Sequence, residues 1–359
     1  MSVFISDCEG PISKNDNAFE LMSHFVPEGD EIFTVISSYD DVLAGVLKRP
    51  NYKAGDTLKL ILPFFKAYGV TDEEMRAFSA QSLILIPNVK DSLQSIRQIT
   101  HAFIVSTSYE HYIRALCQSI DFPYENAYCT KLRIDKFPIT EAEKNRLKKI
   151  AEEIAKMPII DIPPQAKTIK DFSASHEKVI LRLDEIFWKE IASMNVGKIL
   201  SEVNPIGGRE KAEAIKDAAK RVGSTLKDVM YVGDSITDVD AFQLVRENGG
   251  LTVSFNGNRY AIENAEIAIL AENSLVTAVL AEVFCKFGKK QTLKLVENWS
   301  FESLKKSGIN KTLLETFFKI YPKTLPKVKI ITSENMEALA KESSEFRKKV
   351  RGEAIGRLG

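Results

Sequence analysis

Three short runs constrain this chain more than any other feature: Val3-Phe4-Ile5, Ala102-Phe103-Ile104-Val105 and Val229-Met230-Tyr231-Val232. Each is apolar at consecutive positions, so both of its faces need cover. That is the pattern of strands in a parallel sheet flanked by helices. Each also ends in small or polar residues, at Ser6-Asp7, Ser106-Thr107-Ser108 and Gly233-Asp234, and the last two lead into helical patterns at 109–119 and 238–247. Open α/β sheets bind ligands at the carboxyl ends of their strands. Three polar strand ends converging on one crevice therefore predict a site.

The strands are far apart in sequence. Asp7 and Ser106 are separated by 99 positions, well beyond what a simple crossover needs. The spacing predicts helices over 18–25, 39–47, 57–68 and, after a Thr71 N-cap, 72–81. This places a helical cap at 13–85, inserted into a core of 1–12, 86–129 and 204–285. A second insert spans 130–203. Within it Leu147, Ile150, Ile154 and Met157 lie at helical spacing behind a Thr140 cap, until Pro158, Pro163 and Pro164 break the pattern. Beyond Gly288 the sequence reads as amphipathic helices, giving a C-terminal helical extension at 286–359.

Several function classes are excluded. No window approaches the ~20 apolar residues of a membrane span. The N-terminus lacks a basic leader and sets Asp7 in its first apolar run, unlike a signal peptide. Cys8, Cys117, Cys129 and Cys285 are scattered, with no ligand spacing between them, and read as reduced thiols of a cytoplasmic protein rather than a zinc site. With 49 Lys+Arg against 49 Asp+Glu, the whole surface offers no attraction to nucleic acid or an anionic membrane. The balance is uneven, however. From Lys286 onward there are 17 basic against 8 acidic residues. Such a segment is either a solvated face packed on an acidic body or a basic interaction tail for a protein partner or a polyanion.

Asp7 and Glu9 are two carboxylates at i and i+2 after a strand, which project to the same side if extended geometry continues. A carboxylate nucleophile needs an acid for its leaving group and a cation to offset phosphate charge. Asp234 and Asp238 add two hard oxygen donors of the kind that hold Mg²⁺. Ser106, with the Thr107 and Ser108 amides, is placed to hold phosphate oxygens, and Lys211 to neutralise a transferring group.

The order Asp-x-Glu-Gly at 7–10, strand-Ser at 106, Lys211 before a helix, and Gly-Asp-x-x-x-Asp at 233–238 resembles the haloacid dehalogenase (HAD) superfamily. The insert after the first motif is similar to the cap of its phosphoserine-phosphatase-like members. There is a fainter similarity to archaeal HAD-like proteins associated with energy-converting hydrogenases. The resemblance implies an α/β, Rossmann-like parallel-sheet core with two inserts and a cytoplasmic phosphatase acting on a small phosphorylated metabolite. It implies Asp7 as nucleophile, forming an aspartyl-phosphate, and Glu9 as general acid and then base. Mg²⁺ would be held by Asp7, the Glu9 carbonyl and Asp234, with Asp238 a direct or indirect partner. Ser106 and Lys211 would bind phosphoryl oxygens. Two residues depart from the family pattern: Glu9 stands where Asp is usual, and Pro11 where Thr is usual. Those departures motivate an alternative, a catalytically weakened regulatory or binding subunit. Metal-independent dehalogenation is a third reading, for which a full metal-site pattern is unnecessary.

Overall fold

The computed structural model describes residues 2–358. Seven strands form one sheet: β1 (Val3–Ser6), β2 (His101–Tyr109), β3 (Ala127–Thr130), β4 (Val229–Gly233), β5 (Leu251–Phe255), β6 (Ile267–Leu270) and β7 (Lys327–Ile330). Their order is β3-β2-β1-β4-β5-β6-β7, parallel throughout except for β7, which runs antiparallel to β6. The chain is therefore α/β, with a Rossmann-like core. Alternation along the apolar runs feeds two cores. Phe4, Ala102, Ile104, Met230 and Val232 point to one face, under helices Val89–Arg97, Glu110–Ser119 and Leu275–Glu297. Val3, Ile5, Phe103, Val105, Val229 and Tyr231 point to the other, under helices Arg209–Arg221 and Val239–Glu247. Both faces are covered, as unbroken apolar runs require.

The inserts carry the capping signals read from sequence. Thr71 caps helix Asp72–Gln81 in a reciprocal box with Glu74, and Thr140 does the same for helix Glu141–Ile154 with Glu143. Elsewhere the boundaries move. The helix expected at 39–47 instead runs from Gly29 to Asp41 and continues as a wider π-turn over Val42–Val46. The segment 57–68 is two short helices, Thr57–Leu60 and Leu62–Ala67, parting just before Pro63. The two inserts also share a single apolar core. Leu21, Ile36, Tyr39 and Phe64 of the first are packed with Ile150, Ile180, Leu183 and Phe187 of the second.

The C-terminal extension is not purely helical. β7 reads Lys-Val-Lys-Ile, a period-2 pattern that buries Val328 and exposes Lys327 and Lys329. Four residues are too few to stand out against amphipathic helices, and edge lysines are how a sheet border resists further pairing. Helix Met336–Arg351 then packs on helix Arg259–Asn264 through Ile262, Leu339 and Ala340.

Candidate active site

Register brings the polar strand ends together. Ser6 lies opposite Ile104 of β2 and Val232 of β4. The next residue, Asp7, donates its amide to the Val232 carbonyl at 2.8 Å. Asp7 thus sits between the ends of its two neighbouring strands, with Ser106 on one side and Asp234 on the other. All three side chains are buried and line one crevice of about 650 Å³, counting its open mouth, beneath the cap.

Lys211 is the fixed cation of this cluster. It stands in the first turn of helix Arg209–Arg221, whose start is tied to the loop after β4 by the Gly208 amide donating to the Thr237 carbonyl at 3.0 Å. Its Nζ lies 2.8 Å from Asp7 Oδ2 and 2.7 Å from Asp238 Oδ1, with the side chain fully buried. Burial alone would lower the ammonium pKa, but Asp238 and Asp7 outweigh it and hold the group charged. Burial pushes the Asp7 carboxyl above its ordinary value; Lys211 opposes this, while Asp238 and Asp234 add to it.

Asp238 is occupied on every side. Its Oδ1 accepts from Lys211 and from the Tyr231 hydroxyl at 2.5 Å, and its Oδ2 accepts from the Asp234 and Ser235 amides at 2.8 and 3.0 Å. It therefore shapes the loop that presents Asp234. Asp7, Asp234 and Asp238 each offer an oxygen within 4.8 Å of the others, a donor set that fits a hard divalent cation. All three are engaged within the chain: Asp7 by the Cys8 amide at 2.7 Å and by Lys211, Asp234 by two arginines of the last long helix, and Asp238 on both oxygens, which makes Asp238 the organiser of the loop.

Gly10 permits this closeness. Its φ is +100°, and a Cβ there would fall 2.1 Å from Asp234 Oδ2. The Glu9 side chain turns toward the cap, where Oε1 accepts the Asn17 amide at 2.7 Å at the start of helix Asn17–Phe25. Burial, then the neighbouring Asp16, raises its carboxyl well above the ordinary range. Ser106 Oγ accepts the Ser108 amide at 3.2 Å. The helix that follows begins only at Glu110, because β2 runs on to Tyr109. The Thr107 and Ser108 amides accordingly belong to an irregular strand end, not to the first turn of a helix.

Three basic residues of the first insert, His24, Arg49 and Lys53, do not line the crevice. His24 is stacked on Phe78 at 4.6 Å, away from the crevice. Arg49 pairs with Asp184 at 2.5 Å, and Lys53 with Asp56 and Glu210 at 3.3 and 3.4 Å. Sequence reasoning missed the cap carboxylates Asp16, Asp40 and Asp41, and also Arg347 and Arg351 of the last long helix, all of which line the crevice. The only sequence signal for the arginines was their i, i+4 spacing, which sets both on one helical face.

Residues 71–282 match the model of a family described as haloacid dehalogenase-like hydrolase. The chain belongs to that family. The matched stretch of this HAD-like hydrolase holds Ser106, Lys211, Asp234 and Asp238, and lies downstream of Asp7 and Glu9. Among solved structures, the hydrolase is similar to gene product AF1437 from Archaeoglobus fulgidus. The two share 25% identity at a TM-score of 0.80, over 100% of this chain and 99% of that one. A search of curated proteins finds no match. Among the described residues, no helix of the hydrolase is long and apolar enough to cross a membrane, and all four cysteines are free.

Proposed function

We propose that this hydrolase is a divalent-metal-dependent phosphatase of a small phosphomonoester. The observation that carries the reading is the buried Asp7–Lys211–Asp238 chain, with Asp234 beside it, at the base of a capped crevice. A bound Mg²⁺ at Asp7 and Asp234 would supply charge neutralisation for the phosphoryl oxygens. Asp7 attacks phosphorus, forming a P–O bond as the ester P–O bond breaks, and the departing alkoxide takes its proton from the Glu9 carboxyl. Water then adds to the aspartyl-phosphate with Glu9 accepting its proton, releasing inorganic phosphate and restoring Asp7. Lys211 holds the Asp7 carboxylate in place, and Ser106 faces the phosphoryl position from β2. The cap limits water in the crevice, which favours transfer to Asp7 over wasteful routes.

The test is p-nitrophenyl phosphate hydrolysis by purified enzyme with and without Mg²⁺. Asp7→Asn is expected to lower kcat at least ~10³-fold, since it removes the nucleophile. Wild-type activity that persists in excess EDTA, or survives in Asp7→Asn, would reject the mechanism. A second reading, a catalytically weakened binding subunit, draws on the Glu9–Asn17 hydrogen bond, which engages the acid in cap geometry. It expects turnover below ~10⁻² s⁻¹ on every phosphomonoester tried, far under ordinary enzymes.

A further inference from the structure

Arg347 and Arg351 lie one turn apart on the helix Met336–Arg351, and both reach Asp234. Nη1 of Arg347 donates to Asp234 Oδ2, and Nη1 of Arg351 donates to the same oxygen at 3.1 Å. Arg351 also donates to the Lys14 carbonyl at 3.0 Å and to the Asn15 carbonyl. Arg347 reaches the Leu358 carbonyl at 3.4 Å. The two side chains are only 4% and 3% exposed.

Two guanidiniums on one carboxylate oxygen put two positive charges where the proposed cation takes its Asp234 ligand. Counting the groups in direct contact, Asp7, Asp234 and Asp238 face Lys211, Arg347 and Arg351: three carboxylates and three cations. With all six ionised their charges balance, and Glu9 and Asp16 stand beyond them in the same crevice. A divalent ion added to it would be repelled by both arginines, whereas an ion in place of them restores the same balance.

Beyond the arginines the helix rests on a small cluster of buried residues, Ile262, Ala268, Leu270, Leu339 and Ala340, with Met336 and Phe346 at its edge, and on a 2.6 Å bond from the Ser343 hydroxyl to the Gly257 carbonyl. Val350 adds apolar contact, and the ion pairs of Glu337, Glu342 and Lys349 are exposed and hold it only weakly. Arg347 Nε is buried with no hydrogen-bond partner, so one donor of that guanidinium gains nothing from staying.

We propose that the C-terminal helix is a built-in competitor of the divalent cation: the Arg347–Arg351 pair and the metal are alternative occupants of Asp234. Metal binding draws residues 343–358 away from the crevice. This rests on the reading above that a metal binds at Asp7 and Asp234. The test uses full-length protein and Mn²⁺ as the probe, with affinity read by calorimetry or electron paramagnetic resonance. Arg347→Gln/Arg351→Gln is expected to bind Mn²⁺ at least tenfold more tightly than wild type. In wild type, saturating Mn²⁺ is expected to speed amide hydrogen exchange across 343–358. Equal or weaker Mn²⁺ binding by a folded double variant overturns the proposal, because arginines that merely orient Asp234 would help the metal. Unchanged exchange in wild type also overturns it, and that measurement decides alone if the variant does not fold. Absence of Mn²⁺ binding by both proteins would overturn the metal-dependent reading itself, and the competition with it.

Discussion

Lys211 concentrates the chemistry of this chain into one side chain. Its ammonium is the only cation in contact with both Asp7 and Asp238 among the described residues. Breaking a buried ion network by removing one partner leaves uncompensated charge and costs about 3–5 kcal/mol. Lys211→Ala is therefore expected to lower the urea midpoint measurably and to reduce kcat by ~10²–10³-fold, the loss typical of a group aimed at developing charge. Lys211→Arg is not a neutral replacement, because a planar fork cannot repeat the geometry of a compact ammonium between two carboxylates. Wild-type kcat in either folded variant would remove Lys211 from the mechanism. Glycine matters at this scale too. Gly10 is irreplaceable because the carboxylate of Asp234 occupies the space of any Cβ. The sequence shows that glycine, but nothing in it shows the carboxylate pressed against it.

At the scale of elements, legibility followed periodicity and capping chemistry. The apolar runs marked β1, β2 and β4, and the Thr71 and Thr140 caps marked two helix starts, since both signals are local. Parallel register carries the ends of β1, β2 and β4 to the same height, which sets Asp7, Ser106 and Asp234 around one crevice, while Lys211 reaches Asp7 and Asp238 because its helix starts against the loop after β4. The reach of Arg347 and Arg351 was not legible. Nothing local distinguishes an arginine that folds back over 113 residues to Asp234 from one that stays in water. β7 was missed for the related reason that its pairing with β6 is a tertiary fact. One element contact yields a pH test. His111 Nε2, on helix Glu110–Ser119, lies 2.7 Å from Asp72 Oδ1 at the start of helix Asp72–Gln81. Burial lowers the His111 pKa below 6.5, with Asp72 only partly opposing it, so the folded state favours the neutral ring. Burial alone would raise Asp72, but the Asp135 and Ile134 amides and His111 hold it below 3.8. As pH falls below 6.5 the unfolded chain gains a proton that the folded chain resists. Stability should then decline by up to about 1.4 kcal/mol per pH unit. Urea titrations at pH 7.5 and 5.5 should show a larger loss for wild type than for His111→Gln. Equal losses would show that this pair does not control the acid limb.

For the whole molecule, the main consequence is that two inserts separated by β2 and β3 in the chain form one cap. Phe187 of the second insert shows how. Its ring stacks on Tyr39 at a centroid distance of 6.0 Å and meets Phe64 edge-on at 6.4 Å, both in the first insert. The Trp188 indole N–H donates to the Tyr39 hydroxyl at 2.9 Å beside them. A cap built this way cannot open one half at a time without exposing the shared core, so access to the crevice requires movement of the whole unit. Leu358 extends the same core to the C-terminal segment, which links the cap to the helix that carries Arg347 and Arg351. Phe187→Ala tests the arrangement. Truncating a fully buried phenylalanine leaves a cavity and is expected to cost about 3–5 kcal/mol. If the cap is one cooperative unit, native-state hydrogen exchange should rise together in helices Gly29–Asp41 and Ala174–Glu185, while β1 and β4 keep their protection. Faster exchange confined to Ala174–Glu185 would mean that the inserts fold independently, and that the cap opens by the second insert alone.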